Sequence, residues 1–131
     1  MASRTTASGA RGSAVLVTGG AGYIGSHAVK ALCEAGRRVV VYDDLSEGHR
    51  AAVPGVDLVE GDTGDLSRLG EAIATRGVTA VMHFAAWTAV GESVAEPAGY
   101  YRNNVGGTLA VLEAIGQIRV ADRRPCGHRL Q

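Results

Sequence analysis

The chain has 131 residues with 13 basic and 13 acidic side chains, so its formal net charge at pH 7 is zero. Hydrophobic residues make up 46% of the sequence and charged residues 20%, which suits the core of one domain and excludes a disordered polyelectrolyte. No large block of one charge sign and no apolar run of membrane-spanning length is present, so we expect neither nucleic acid nor a membrane as partner.

The two cysteines and the first residues indicate where the chain is found. Cys33 and Cys126 make neither a disulfide framework nor a metal cluster, so we expect no metal and a reducing, cytoplasmic location. Residues 1–13 are mostly Ala, Ser, Thr, Gly and Arg, without an acid and without the apolar segment of a secretory signal. We expect them to form a disordered leader.

The first regular element predicts a phosphate-binding turn. The apolar run that starts at Val15 leads into Gly19, Gly20, Gly22 and Gly25, and a helical pattern follows over 26–35 up to Gly36. The first glycines allow a turn with positive φ, Gly22 has no Cβ to hold off a pyrophosphate, and Gly25 lets the helix pack closely. The amide groups that begin the helix favour a bound phosphate. The same spacing can also be a turn without a ligand.

The second strand, 38–42, ends at Asp43 and Asp44, 18 residues after Gly25. A carboxylate at this position receives the adenosine ribose hydroxyls of a bound dinucleotide and repels a 2′-phosphate, which favours NAD over NADP. Asp43 is the stronger candidate because it directly follows the strand, and Asp44 is the candidate for a solvated side chain.

A loop with at most a short helix is predicted over 45–55, followed by a third strand over 56–60. Asp62 then either accepts a hydrogen bond from the adenine amino group or serves as a turn residue. Asp65 is predicted to cap a helix whose apolar residues recur at helical spacing at Leu66, Leu69 and Ile73.

The fourth strand is predicted over 78–84 and leads into two alanines that leave room for the nicotinamide half of a dinucleotide. His83 is either a satisfied core residue, the favoured interpretation, or a catalytic one. A loop over 87–96 should cover the cofactor, and Pro97 begins a helix that runs to about residue 115. Gly106 and Gly107 weaken this helix and indicate a close approach to another helix or to the cofactor.

Four strands that alternate with helices predict an α/β fold, a doubly wound, Rossmann-like parallel sheet in the order 3-2-1-4. We expect the domain to cover 14–117, to be truncated after about four strands, and to be followed by an irregular basic tail over 118–131. The abrupt change of composition at this tail suggests a reading-frame change or a premature end.

Several segments together resemble the UDP-glucose 4-epimerases of the extended short-chain dehydrogenase family. They are Thr18-Gly19-Gly20-Ala21-Gly22-Tyr23-Ile24-Gly25-Ser26-His27, Asp43-Asp44-Leu45, Glu60-Gly61-Asp62, His83-Phe84-Ala85-Ala86, Gly91-Glu92-Ser93-Val94 and Tyr100-Tyr101-Arg102-Asn103-Asn104-Val105 with Gly107-Thr108-Leu109. The resemblance covers about 14–116. It implies a tightly held NAD that oxidises the C4 hydroxyl of a nucleotide sugar and returns the hydride to the opposite face.

The resemblance also assigns cofactor-binding residues. Those at the diphosphate turn are Gly19, Gly22, Tyr23, Ile24 and Gly25, and those along the adenosine ribose are Asp43, Asp44, Leu45, Ser46 and Gly48. Asp62 and Thr63 lie by the adenine, and Phe84, Ala85, Ala86, Thr88 and Asn103 lie on the nicotinamide side. Two positions depart from the family: Thr88 replaces a frequent lysine, and Gly106 a frequent asparagine.

The Tyr-x-x-x-Lys pair that performs proton transfer in this family is missing, because the only lysine is Lys30 and Ser26 stands four residues before it. We therefore predict no catalytic residue, weak or no NAD retention and no epimerase activity from this chain alone. A nucleotide-sugar substrate would bind only if the missing part were supplied. The uncovered edge of the fourth strand predicts aggregation or self-association.

Two other functions are compatible with the sequence. The chain could derive from another extended short-chain dehydrogenase, such as a nucleotide-sugar dehydratase. It could also be a non-enzymatic nucleotide-binding module that makes contacts through the basic tail, whose arginines are Arg119, Arg123, Arg124 and Arg129.

Overall fold

The computed structural model describes residues 13–86 and 90–122. Four strands alternate with helices in the first part of the chain, and the elements described after the last strand, over residues 90–122, are helical. The strands are β1 (Ala14–Thr18), β2 (Arg38–Asp43), β3 (Asp57–Glu60) and β4 (Val78–His83). The α-helices are α1 (Tyr23–Glu34), α2 (Leu66–Thr75), α3 (Val90–Ala95), α4 (Pro97–Tyr101) and α5 (Gly107–Asp122), with a 3₁₀ turn at Arg50–Ala52 and a π-helical turn at Arg102–Gly106.

The described strands form one parallel sheet in the order β3-β2-β1-β4, which confirms the predicted doubly wound fold and strand order. Leu16 of β1 lies between Val40 of β2 and Val81 of β4. The first strand thus lies inside the sheet, β2 and β3 extend the sheet on one side of it, and β4 extends the sheet on the other. The carboxyl ends of all four strands meet at one edge of the sheet, where such folds bind ligands.

Alternating strand residues supply two apolar layers, one on each face of the sheet. Leu16 and Tyr42 pack with α2 and α5 residues such as Leu69 and Val111, and all four side chains are buried. On the other face, Val17 and Val41 pack with Val29 and Leu32 of α1. Since neighbouring strand residues point to opposite faces, both layers follow from the strand periodicity.

The end of the described chain departs from the predictions. Residues 90–95, expected as part of a loop, form helix α3, with Glu92 in its first turn where an acid favours helix formation. The following helical segment reaches Asp122 rather than about 115, so the part of the predicted tail up to this residue is helical. The leader up to residue 12, residues 87–89 and the rest of the tail lie outside the described residues.

Of the two adjacent glycines in the helical segment after β4, Gly107 lies close to another part of the chain. A Cβ at this position would lie 2.7 Å from Thr63 Oγ1, so the helix can approach the loop after β3 only because no side chain is present. Gly106 has open space around it, and Gly107 closely approaches a loop rather than the helix or cofactor that was predicted.

Candidate functional site

The main cleft lies at the carboxyl edge of the sheet and has a volume of about 620 Å³. The connections that follow β1, β2 and β3, the residues after β4, and the helical segment around Asn103 contribute to it. Its lining residues are Gly19, Gly22, Tyr23, Ile24, Gly25, Tyr42, Asp43, Asp44, Ser46, Glu47, Gly48, Gly61, Asp62, Thr63, His83, Phe84, Ala85, Ala86 and Asn103.

The glycine-rich turn bends tightly between β1 and α1. Gly19 has φ +67°, a conformation that L side chains rarely adopt, and its amide donates to the Tyr42 carbonyl at 2.8 Å. A Cβ on Gly25 would collide with the Gly19 carbonyl, so α1 packs directly on the turn. The role predicted for Gly25 in close helix packing is thereby confirmed.

The amino end of α1 opens into the cleft. Gly22 occupies the N-cap position without a side-chain hydrogen bond, and the first turn of the helix contains no acidic residue. The first amides of a helix have no partners within it and carry the positive end of the helix dipole. Tyr23 and Ile24 line the cleft there and are strongly exposed, 82% and 66% respectively.

Asp43 joins the loops on both sides of the cleft. Its side chain is buried, with Oδ2 accepting from the Ala21 amide at 3.0 Å and Oδ1 from the Leu45 amide at 2.8 Å. Each carboxylate oxygen has two lone pairs, so both retain capacity for a ligand hydroxyl. Asp43 therefore combines a structural role with a negative charge at the lining of the cleft.

The loop after β2 closes onto the glycine turn. Asp44 is exposed but not simply solvated, because its Oδ1 accepts from the Ser46 amide at 3.0 Å and the Ser46 hydroxyl at 2.7 Å. Gly48 packs on Ala21, since a Cβ would lie 2.9 Å from it. Leu45 has φ +60°, and its side chain packs in the apolar layer beside α1.

The loop after β3 presents Asp62 and Thr63. The Asp62 Oδ1 atom accepts from the Gly64 amide at 2.8 Å, in the turn geometry that was one of its two predicted roles. Thr63 is buried against Gly107. Asp65 caps α2 through the Arg68 amide at 3.1 Å, as predicted.

At the end of β4, His83 is partly buried beside Thr18. Its Nδ1 atom lies 2.5 Å from Thr18 Oγ1, which also accepts from the Phe84 amide, and its Nε2 atom is buried and has no hydrogen-bond partner among residues 13–86 and 90–122. Burial lowers the pKa of His83 below its ordinary value because the charged form loses hydration. Of the two interpretations, that of a satisfied core residue agrees with the contact at Nδ1, and neither is tested at Nε2.

The predicted cofactor residues converge in one place. Fifteen of the seventeen line the cleft, Leu45 lies outside its lining, and Thr88 is outside the described residues. Four further lining residues were missed by the cofactor assignment, namely Tyr42, Glu47, Gly61 and His83. The alternation of strand residues could not reveal that Tyr42 reaches the cleft. Tyr42 belongs to β2, whereas the loop that it contacts, at Asp62, follows β3.

The described residues offer neither a metal site nor a membrane-spanning helix. Among residues 13–86 and 90–122, no group of three or more His, Cys, Asp or Glu side chains could hold a metal ion. Within the same ranges, none of the helices is both long and apolar enough to cross a membrane.

Comparisons with known proteins agree with this geometry. UDP-glucose 4-epimerase of Azospirillum brasilense is 54% identical over 101 residues, which are 76% of this chain and 29% of that protein. The structure of UDP-glucose 4-epimerase from Brucella ovis in complex with NAD matches with a TM-score of 0.79 and 54% identity, covering 82% of this chain and 33% of that chain. The corresponding enzyme of Thermus thermophilus, also in complex with NAD, matches with a TM-score of 0.77 and 42% identity, covering 81% and 34%.

The chain thus spans about 30% of the length of the curated relatives that it matches. The family model described as "NAD dependent epimerase/dehydratase family" matches residues 15–124, somewhat beyond the end of the resemblance found in the sequence. With the parallel sheet, the glycine turn and Asp43 arranged as described, this match shows that the chain belongs to the NAD dependent epimerase/dehydratase family.

Proposed function

We propose that this chain forms the NAD-binding portion of a UDP-glucose 4-epimerase and binds NAD in the cleft at the carboxyl edge of the sheet. One observation carries the proposal: the amino end of α1 and the carboxylate of Asp43 face the same cleft, at the first and second strands. This pair matches the two polar parts of an adenosine diphosphate, since a helix amino end favours phosphate and a carboxylate accepts from ribose hydroxyls.

The space at Gly22 fits a diphosphate. A Cβ there would have only the Gly19 carbonyl within contact distance, at 3.3 Å, so on its other sides the position adjoins open cleft. A phosphate can therefore approach the backbone of the turn and accept from the Tyr23 and Ile24 amides. The first turn of α1 contributes no acidic side chain that would repel the phosphate.

The adenosine end of the cleft favours NAD over NADP. The Asp43 carboxylate would accept from the ribose hydroxyls and would repel a 2′-phosphate at the same place. Farther along, Asp62 Oδ1 is used by the Gly64 amide, whereas the structure shows no hydrogen bond to Oδ2 within the described residues. Oδ2 would accept from the adenine amino group.

The nicotinamide end would be formed by Phe84, Ala85, Ala86 and Asn103, which line the cleft on the β4 side. The small alanines leave room for a ring beside the backbone, and the Asn103 side chain supplies polar contacts. Bound NAD would supply a hydride acceptor. Thr88, at the position of a frequent family lysine, stays a prediction for the same end.

The chain has no group that could perform the proton transfer of an epimerase by the family's Tyr-x-x-x-Lys pair, because its only lysine is Lys30. We therefore expect no turnover of UDP-galactose by this chain alone, and binding of a nucleotide sugar only with the remaining part of the enzyme. The relatives named UDP-glucose 4-epimerase favour this activity over that of a dehydratase. The expected location is the cytoplasm.

We also propose that the chain self-associates through β4. Among the described strands, β4 pairs with β1 alone, and Thr79, Ala80 and Met82 are exposed on it. The strand has neither a Lys, Arg, Asp or Glu residue nor a proline to protect its edge. Analytical ultracentrifugation should show concentration-dependent association that Ala80→Lys reduces. Association that is unchanged in this variant would refute the role of the edge.

Titration of the chain with NAD, NADP and ADP-ribose, followed by NMR and calorimetry, tests the proposed cofactor. We expect weak but saturable binding of NAD and ADP-ribose, and binding of NADP at least about tenfold weaker, because a 2′-phosphate would face a carboxylate. No saturation by NAD at millimolar concentration, or equal affinity for NADP, would contradict the proposal.

A further inference from the structure

Tyr42 lies under the cleft and reaches the loop that follows β3. Its side chain is completely buried, and its hydroxyl donates to the Asp62 carbonyl at 2.7 Å. Neighbouring strand residues point to opposite faces of the sheet. Asp43 therefore joins the glycine turn on one face, while Tyr42 joins the Asp62 loop on the other.

Three further hydrogen bonds organise the same loop. The Asp62 carbonyl also accepts from the Asp65 amide at 3.0 Å, and Asp62 Oδ1 accepts from the Gly64 amide at 2.8 Å. The Gly61 amide donates to the Asp43 carbonyl at 3.0 Å, which ties the beginning of the loop to β2. The Tyr42 hydroxyl is the side-chain donor that fixes the middle of the loop from below.

The loop lies directly on the Tyr42 ring. A Cβ on Gly61 would be 2.5 Å from the hydroxyl oxygen and 2.7 Å from Cζ, so only glycine allows this approach. Burial, with a smaller contribution from the negative charge of Asp65, raises the pKa of Tyr42 to about 12. The hydroxyl therefore keeps its proton, and remains a donor, throughout the physiological pH range.

We propose that Tyr42 is a positioning residue for adenine recognition: its hydroxyl holds the Asp62 backbone so that the free carboxylate oxygen is presented to the adenine amino group. The proposal rests on the proposed NAD site. It adds a specificity determinant that makes no contact with the base itself. Loss of the hydroxyl removes one of the two donors to the Asp62 carbonyl, so the loop keeps its turn but loses its fixed position.

The test compares the 131-residue chain with Tyr42→Phe, using NAD and nicotinamide hypoxanthine dinucleotide, in which an oxo group replaces the adenine amino group. The unaltered chain should prefer NAD by about tenfold, the worth of a hydrogen bond to a charged acceptor. Tyr42→Phe should reduce that preference to about threefold or less. Tyr100→Phe is the matched control and should keep the preference, because Tyr100 is also buried but its hydroxyl donates to Glu92 Oε2 at 3.3 Å rather than to the Asp62 loop.

Amide hydrogen exchange in the absence of ligand provides a second readout. Tyr42→Phe should accelerate exchange at Gly64 and Asp65 by about fivefold while the amides of β1 retain their protection. A general loss of stability would weaken both dinucleotides equally and leave their ratio unchanged.

The outcomes separate the two proposals. An unaltered chain that binds neither dinucleotide refutes the NAD site, and the exchange rates still decide whether Tyr42 fixes the loop. Saturable NAD binding with an unchanged NAD preference in Tyr42→Phe, or unchanged exchange at Gly64 and Asp65, overturns the positioning role alone. Equal affinity of the unaltered chain for both dinucleotides overturns it as well, since no adenine recognition would exist to be positioned.

Discussion

Replacement of Asp43 should damage both the fold and the cofactor site. In Asp43→Ala, the amides of Ala21 and Leu45 lose their acceptors at 3.0 and 2.8 Å, the first of them buried. An unsatisfied buried donor costs about 1–3 kcal/mol and a partly exposed one less, so we expect a total loss of about 2–4 kcal/mol in the free energy of unfolding. For a domain of this size, the melting temperature should fall by roughly 8–25 °C.

Asp43→Asn separates the two roles. Its amide oxygen can still accept from one of the two backbone amides, but its NH₂ group faces the other donor, so the loss of stability should be smaller than in the alanine variant. NAD affinity should still fall by roughly 10- to 100-fold, because a charge-assisted acceptor for the ribose hydroxyls is lost. The preference for NAD over NADP should shrink toward unity, since the carboxylate that repels a 2′-phosphate is gone.

Thermal unfolding followed by circular dichroism measures the loss of stability. Calorimetric titration with NAD and NADP measures the loss of NAD affinity and of the preference for NAD. Asp44→Ala is the control, because this neighbouring carboxylate is exposed and bonds only within its own turn. It should change the melting temperature by less than about 3 °C. An Asp43→Ala chain that unfolds within this margin, or an Asp43→Asn chain with unaltered NAD affinity, would refute the reasoning.

Three further changes have definite expected outcomes. Gly22→Ala should lose at most about 1 kcal/mol in the free energy of unfolding, because the φ of −80° at Gly22 suits alanine. Calorimetry should nevertheless show an NAD affinity at least about tenfold lower, and an equal affinity would contradict the diphosphate position. Asp65→Ala should cost α2 about 1 kcal/mol, seen in urea unfolding, and a variant as stable as the parent would exclude the cap. Because burial lowers the pKa of His83 below 6.5, the unfolded chain binds more protons, and stability should decrease as the pH falls from about 6.5 toward the lowered value. Melting temperatures measured at several pH values should decrease less steeply for His83→Gln than for the parent chain, and as steeply for the exposed His27→Gln as for the parent. The same pH dependence in the parent and both variants would contradict the role of His83.

The sequence predicted the first half of the site well because that half depends on short-range sterics. The glycine spacing from Gly19 to Gly25 favours a tight turn into a helix, and Asp43 follows a strand whose apolar residues require burial. The order β3-β2-β1-β4 then follows from the alternation of strands and helices. Fifteen of the residues that the family resemblance assigned to the cofactor line one cleft.

The helical region after β4 was predicted less well. Gly91 and Ser93 favour a loop by local propensity, yet 90–95 is helical, and α5 continues past the residue where the pattern weakens. Propensity is a weak determinant at such positions: α3 packs against α4 and α5 packs against α2, and such packing contributes more than any single residue.

By itself, the sequence determined the glycine turn and the acidic residue at the end of β2, because each depends on residues that are neighbours in the chain, and the alternation of strands and helices indicated the order of the strands. Only the tertiary structure decided that Tyr42 holds the Asp62 carbonyl, that Gly107 packs on Thr63, and that His83 bonds to Thr18. These contacts join residues 20 to 65 positions apart. The periodicity of an element shows which face is buried, whereas the partner on that face is chosen by how whole elements pack together.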